Sequence, residues 1–574
     1  MDFKKKTLEY LVDELDVELS VLEELIEIPP QRDMGDFAIP CFRFAKILKK
    51  SPAVIAQDFA DKLDTLPEFI DRVEVAGPYL NIFLNVSVFN KTITSNILES
   101  NDLLKFDWGS GKIVLLDYSS PNIAKPFHVG HAFTTILGDV LARMYASTGY
   151  EVVRINHLGD YGTQFGKLIV AYENWGDASA LEEDAIKELL RIYVKFHDEA
   201  KLNPELEDQA RAKFRNLEAG EAYEYELWEK FREFSLNEFK RIYNRLGMYF
   251  DSYKGEAFYI EMLDKVVNLL EEKGILVDSQ GAKIVDLEEY SLPPVIVRKS
   301  DGSSIYATRD IAAALYRHKR YNFDKLLYVV GQTQELHFKQ LFATLKKAGF
   351  DWADNMEFVG FGLVKFPEGV KLSTRSGDVV YLEDLINEAV SRTKAVIEKN
   401  NENSDDPMSQ EEIDKASEII ALASVRYTFL RNGRERDIVF LWDEILDYEG
   451  DTAPYMLYSY ARARSILRKS GVDASELKNA DLSILSENQE FELLTEINNL
   501  PASLEQALKH NEPSIFARQV MTVCRSFSRF YNQVSILQAD TEDLKIARLA
   551  LIEAFSKTVK AALALLGIDT VERM

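Results

Sequence analysis

Cysteine is scarce in this chain: Cys41 and Cys524 are the only two in 574 residues, and no C-x-x-C occurs. A disulfide framework and a cysteine-built structural zinc site are thereby excluded, and a reducing compartment is the expected setting. No stretch is apolar over the length that a bilayer requires. The opening MDFKKKTLEYLVDELD lacks both the apolar core of a signal peptide and the acid-free pattern of a transit peptide, so the cytoplasm is expected. Glycine-rich phosphate loops are missing too. Neither G-x-x-x-x-G-K-[ST] nor a G-x-G-x-x-G following a strand is found, which disfavours Walker-type hydrolysis and hydride transfer. Basic residues are in deficit, 68 against 94 acidic, for a formal net charge of −26. A polyanion would be repelled at long range, so any nucleic-acid partner needs local basic patches.

What is present begins at Asp117-Tyr118-Ser119-Ser120-Pro121-Asn122-Ile123-Ala124-Lys125-Pro126-Phe127-His128-Val129-Gly130-His131. Before it, Lys112 to Tyr118 carries the continuous apolar run of a strand buried on both faces. After it, Val129, Phe133, Ile136, Leu137, Val140, Leu141 and Met144 recur at three- and four-residue steps, predicting a helix from about Val129 to Thr148. Gly149 ends that helix before a second strand, Glu151 to Ile155, which completes a βαβ unit. A helix start leaves backbone N–H groups unpaired with partial positive charge behind them, and anionic phosphate docks there. His128 and His131 share a face of that first turn, and Gly130 between them leaves room for a flat adenine. Adenylyl transfer from ATP is the leading reading. A three-ligand zinc site that recruits His157 or a carboxylate is the weaker alternative.

Hydrophobic residues make up 46% and charged residues 28%, ordinary for a globular protein, and the length implies about three or four domains. Basic clusters occur at Arg431, Arg434 and Arg436, at Arg462, Arg464 and Arg468, and at Arg518, Arg525 and Arg529. The last three fall on one helix face with Phe527, Phe530 and Tyr531 alongside. A solvated charged face is the ordinary reading of any one cluster.

The S-S-P-N-I-A-K-P-F-H-V-G-H stretch resembles the class I aminoacyl-tRNA synthetase H-I-G-H element in the form used by arginyl-tRNA synthetases. Further matching stretches follow in the family's order: Gly35 to Ala38, Asn156 to Gly162, Tyr306 to Asp310, Gly331 to His337, Lys371 to Gly377, Gly450 to Tyr455, and a last helix ending Glu572-Arg573-Met574. The resemblance implies an α/β catalytic domain with a Rossmann-like parallel sheet, an α+β N-terminal domain and an all-α C-terminal anticodon-binding bundle. The expected divisions are roughly 1–105, 106–385 with a helical insertion at about 174–260, a connecting helical region 386–450, and 451–574. The N-terminal part closes with a strand pair around Gly77-Pro78, and Asn400 to Pro407 reads as a polar linker.

Roles come with the resemblance. ATP would meet His128, Gly130, His131, Lys371, Ser373 and Arg375. Lys125 would supply a cation, because Thr374 stands where the class's second lysine usually lies. L-arginine would be held by Tyr306 and Asp310 at its guanidinium and by Ser120, Asn122, His131 and Gln334 at its backbone end, with Asp117 and Glu256 adding negative charge. A guanidinium is planar and permanently charged, so its natural complement is a carboxylate accepting two parallel hydrogen bonds. Tyr79 and Asn81 would touch the D-loop of tRNA(Arg), Tyr458 and Met574 would approach its anticodon, and Arg462 and Arg525 would bind the tRNA from local basic patches. Mg²⁺ arrives with ATP, no zinc is expected, and the protein is expected to be a monomer independent of membranes. A smaller nucleotidyltransferase could share H-x-G-H but would not need the flanking domains. A tRNA-binding relative without catalysis predicts damaged motifs, whereas His128, His131, Lys371, Asn122 and Asp310 are intact.

Overall fold

The run Ile113-Val114-Leu115-Leu116 forms β1 (Ile113–Asp117), which lies inside a four-stranded parallel sheet with Val114, Leu115 and Leu116 fully buried and Ile113 partly so. From β1 the chain enters α1 (Val129–Ser147) and returns as β2 (Glu151–Ile155), each within a residue of the expected bounds. After a long excursion come α2 (Tyr306–Tyr321), β3 (Lys325–Gly331), α3 (Glu335–Lys347) and β4 (Met356–Phe361). The strand order is β4-β3-β1-β2, so connections leave β1 toward β2 but re-enter the sheet at β3 on its other side. That reversal opens a crevice at the carboxyl ends of β1 and β3. The computed structural model describes residues 3–300, 306–366, 380–402 and 406–574. Lys371, Ser373, Thr374 and Arg375 lie outside the described residues, as do Asn403, Ser404 and Asp405 of the linker.

The excursion is helical where expected, including Ala185–Leu202 and Ala222–Arg245. It then continues into an antiparallel sheet of Leu276–Ser279, Ala282–Val285 and Val295–Arg298, which the sequence reading did not anticipate. The missed signal is the two-residue turn Gln280-Gly281, with φ of +50° and +80°, the pattern that joins paired strands tightly. The N-terminal part pairs Ile70–Ala76 with Tyr79–Leu84 around Gly77-Pro78 and adds Phe37–Pro40 on the far side of Tyr79–Leu84.

The carboxyl end is all helix from Ala453, capped by the Thr452 hydroxyl. One expectation is corrected here: the last helix, Glu542–Leu565, does not reach Met574. Gly567 takes φ +70°, its N–H bonds to Ala564 O and the N–H of Ile568 bonds to Leu563 O, a glycine-terminated helix end. Beyond it, Glu572 accepts from Tyr460 Oη and Arg464 Nε, and Arg573 pairs with Asp406, so the tail is tied down without being helical.

A buried ion pair joins the connecting helical region to α1 of the catalytic domain. Arg426, on the helix Gln410–Leu430, lies 3.0 Å from Asp139 of α1 and also donates to Leu246 O. A Cβ on Gly567 would fall 2.0 Å from Arg426 Nη1, so glycine there serves both the helix end and the guanidinium. Removing one partner strands the other as a buried charge. Asp139→Ala is therefore expected to lower unfolding free energy by about 3–5 kcal/mol, read by urea denaturation. A loss below about 1 kcal/mol, the range of surface pairs, would contradict this.

Candidate active site

The chain leaves β1 through a backbone that few residues adopt. Ser119, Ser120 and Ala124 have φ of +70°, +45° and +59° and none is glycine. Each is held by hydrogen bonds to neighbouring segments. Ser119 N bonds to Thr134 Oγ1 at 3.1 Å, and its hydroxyl lies 2.7 Å from Tyr243 Oη and accepts from Thr135 Oγ1 at 2.8 Å. Ser120 Oγ donates to Asp117 Oδ1 at 3.0 Å and accepts from His157 N at 3.2 Å. Ala124 N bonds to Ser235 Oγ on the inserted helix Ala222–Arg245. Asn122 is exposed and crosses over Gly159, where a Cβ would lie 2.0 Å from Asn122 Oδ1. The glycine in Asn156 to Gly162 thus makes room for Asn122.

His128 is the N-cap of α1 and His131 stands three residues in, their rings stacked with centroids 3.8 Å apart. The N–H of Gly130 donates to His128 Nδ1 at 3.1 Å, and the N–H of His128 donates to His131 Nδ1 at 3.4 Å. Both Nδ1 atoms are acceptors, so each neutral ring carries its proton on Nε2. Burial, then His128 and Lys125, pushes His131 down to about 3; burial, then Lys125, lowers His128. The pair is uncharged at neutral pH and presents two Nε2–H donors beside the helix start. The segment after residue 379 docks on this turn: Val129 N donates to Val380 O and Leu382 N to Phe127 O, both at 3.0 Å.

The carboxylates gather along the same edge. Asp117, at the end of β1, is bonded by Arg317 of α2 at 2.8 Å, and Arg317 Nη2 is 3.3 Å from His157 Nδ1. Glu256 is bonded by Arg309 at 2.7 Å. Burial pushes the Glu256 carboxyl up to about 7, opposed by Arg309 and reinforced by Asp310 and Asp160. Asp310 Oδ2 is 2.6 Å from His337 Nε2, and so links the starts of α2 and α3. Tyr306 is 67% exposed, with the Arg309 guanidinium 4.6 Å from its ring centre. Gln334, exposed, is the N-cap of α3. Asp117 is thus neutralised inside the chain and serves to orient Ser120 and α2. Asp160 accepts from Ala257 N and from Arg232, both at 2.9 Å, and ties the insertion to Glu256.

The residues assigned to tRNA fall in two places. Tyr79 is half-buried with its ring 5.6 Å from the exposed Phe42, whereas Asn81 is only 8% exposed. Tyr458 and Tyr531 flank the Arg462 guanidinium, at 4.5 and 4.8 Å, beside a hollow of about 540 Å³ that also meets Lys469 and Gln538. Arg525 and Arg529 are exposed on the helix Pro513–Gln533. Met574 packs against the hydrophobic core. Arg434 and Arg464 are taken up internally, by Gly360 O and by Glu553 with Glu572. Sequence reasoning gave no role to His337, Asp160 or Arg317. The first two stand inside the quoted motifs, and His337 follows Gln334 by three residues on one helix, which is the only signal spacing offers.

Residues 93–442 match the family described as tRNA synthetases class I (R), catalytic domain. Residues 4–84 match the arginyl tRNA synthetase N-terminal domain and 456–574 the DALR anticodon binding domain. The arginine–tRNA ligase of Clostridium acetobutylicum is 51% identical over the full length of both chains, and that of Clostridium perfringens 52%. In fold, the chain is similar to the arginyl-tRNA synthetase of Thermus thermophilus, with a TM-score of 0.81 at 24% identity over all of both chains. The chain belongs to the arginine–tRNA ligase family of class I tRNA synthetases.

Proposed function

We propose that this chain activates L-arginine with ATP and transfers it to the terminal adenosine of tRNA(Arg) at the crevice between β1 and β3. The observation that carries the reading is the two helix starts on one sheet edge. One follows β1 and bears the paired neutral imidazoles; the other region, where α2 and α3 begin, bears Asp310. Asp310 and Arg317 are seven residues apart on α2, roughly 10 Å along its axis. Arg317 is bonded to Asp117, which holds Ser120. Ser120 and Asp310 are thus linked through Asp117 and α2.

In the first step an oxygen of the arginine carboxylate attacks the α-phosphorus of ATP, the bond to the β-phosphate oxygen breaks, and pyrophosphate leaves. Nε2–H of His128 and His131 donates to the oxygens that gain charge, and Lys125 adds a cation. Lys371, Ser373 and Arg375 are assigned to the same triphosphate. In the second step a ribose hydroxyl attacks the activated carbonyl and AMP departs. Mg²⁺ enters with the nucleotide as part of the substrate. Tyr306 and Asp310 hold the guanidinium; Ser120, Asn122, His131 and Gln334 surround the backbone end. Lysine in place of arginine loses the bidentate geometry, so selection needs no editing site. Tyr79 and Asn81 serve the D-loop, Tyr458 and Met574 the anticodon, and Arg462 and Arg525 bind tRNA as local cations; with Arg462 between two rings, a base can stack there. The enzyme acts as a cytoplasmic monomer. Among the described residues no helix is long and apolar enough to cross a membrane.

Pyrophosphate exchange run with each amino acid, at saturating tRNA(Arg), is expected to respond to arginine alone. Exchange driven by a different amino acid would refute the assignment. His128→Ala is expected to lower the exchange rate by about 10²- to 10³-fold while leaving tRNA binding nearly intact. Arg525→Ala is expected to weaken tRNA binding and spare exchange. Equal losses in both assays for both variants would break this division of labour.

A further inference from the structure

Besides Asp160, which Arg232 bonds, three carboxylates stand near the carboxyl ends of β1 and β3, and the chain treats them differently. Asp117 and Glu256 are each bonded by a guanidinium of the chain itself, Arg317 at 2.8 Å and Arg309 at 2.7 Å. Asp310 has an imidazole instead, His337 Nε2 at 2.6 Å from Oδ2. Exposure follows the same division. Asp310 keeps 23% of its side chain open, against 17% for Glu256 and 7% for Asp117. Of the three, Asp310 is the one paired with no guanidinium of the chain, and it is the most exposed.

An aspartate carboxylate turns freely about its last torsion, whose energy profile is broad. A guanidinium that donates two parallel hydrogen bonds needs both oxygens in its own plane, so an unrestrained carboxylate must first be ordered. His337 removes that freedom. One hydrogen bond to Oδ2 uses one of roughly four lone-pair sites and leaves Oδ1 and the rest of Oδ2 for a ligand. The placement adds a second constraint. His337 is the third residue of α3 and Gln334 is that helix's N-cap, so one rigid helix start bears both the support for Asp310 and a residue assigned to the amino acid's backbone end.

We infer that His337 is a positioning residue for arginine, fixing the plane of the Asp310 carboxylate so that it meets the substrate guanidinium with two oxygens. The inference rests on the proposed arginine activation and names a residue that acts through Asp310. His337 is 29% exposed in its side chain, so its replacement leaves no large cavity.

The test is arginine-dependent pyrophosphate exchange with the full chain and tRNA(Arg), comparing wild type, His337→Ala and His337→Gln. KM for arginine, KM for ATP, kcat and the thermal midpoint are read for each. His337→Ala is expected to raise KM for arginine about tenfold, the effect of losing one charge-assisted hydrogen bond. KM for ATP, kcat and the midpoint stay near wild type. His337→Gln, whose amide N–H can replace Nε2–H, recovers most of the loss. An unchanged arginine KM in His337→Ala, a parallel rise in KM for ATP, or a glutamine variant no better than alanine would each overturn the inference alone. A wild-type chain that activates no arginine would overturn the functional reading first, and this inference with it.

Discussion

A buried ion pair between the last residue of β1 and the last third of α2 holds the two halves of the site in register. Asp117 and Arg317 are 7% and 1% exposed at their side chains and 2.8 Å apart. Separated this far from water, neither could be left alone without a penalty of several kcal/mol. The pair therefore fixes where α2 runs, and with it Tyr306 and Asp310, relative to the strand end that orients Ser120. The same strand end leads through left-handed Ser119 and Ser120 to Asn122, and through left-handed Ala124 to the histidines. Strain of that kind persists only where surrounding contacts over-determine it, and here Tyr243, Thr134, Thr135 and Ser235 do so. Two of those four come from the inserted helix, which makes the insertion part of the site's frame.

Charge along the crevice is arranged in sequence from neutral donors to acids. The stacked imidazoles are kept uncharged by burial and by Lys125, so their N–H groups can meet phosphate oxygens without attracting the acidic wall opposite. At the other end Glu256 and Asp117 are answered by arginines of the chain, and Asp310 by an imidazole. The molecule's net charge of −26 is then compatible with an RNA partner through local cationic faces such as that around Arg462 and Arg525.

The βαβ unit was legible because β1 is a continuous apolar run and α1 repeats its apolar positions at helical steps. The antiparallel sheet at 276–298 was not, because its four-residue strands are partly exposed and show too few positions to reveal a period. The histidine pair could be read from spacing, but its tautomers depend on backbone donors that only the folded turn supplies. Ser119 and Ser120 gave no hint of left-handed backbone, since glycine would have been the expected residue there. Asp117 with Arg317 and Asp310 with His337 are pairings across different elements, invisible to any local pattern. The tail after Leu565 was misread for a similar reason: Gly567 is needed both to end the helix and to admit Arg426, a residue from another helix.

The central claim is that the imidazole pair and Asp310 address opposite ends of one aminoacyl nucleotide. A crystal structure with a non-hydrolysable arginyl-adenylate analogue tests it most directly. The account predicts the phosphate-mimicking group within hydrogen-bond distance of His128 or His131 Nε2, roughly 3 Å, and the guanidinium bidentate on Asp310 in the same molecule. An analogue whose guanidinium lies away from Tyr306 and Asp310 while its nucleotide occupies the histidine turn would contradict it.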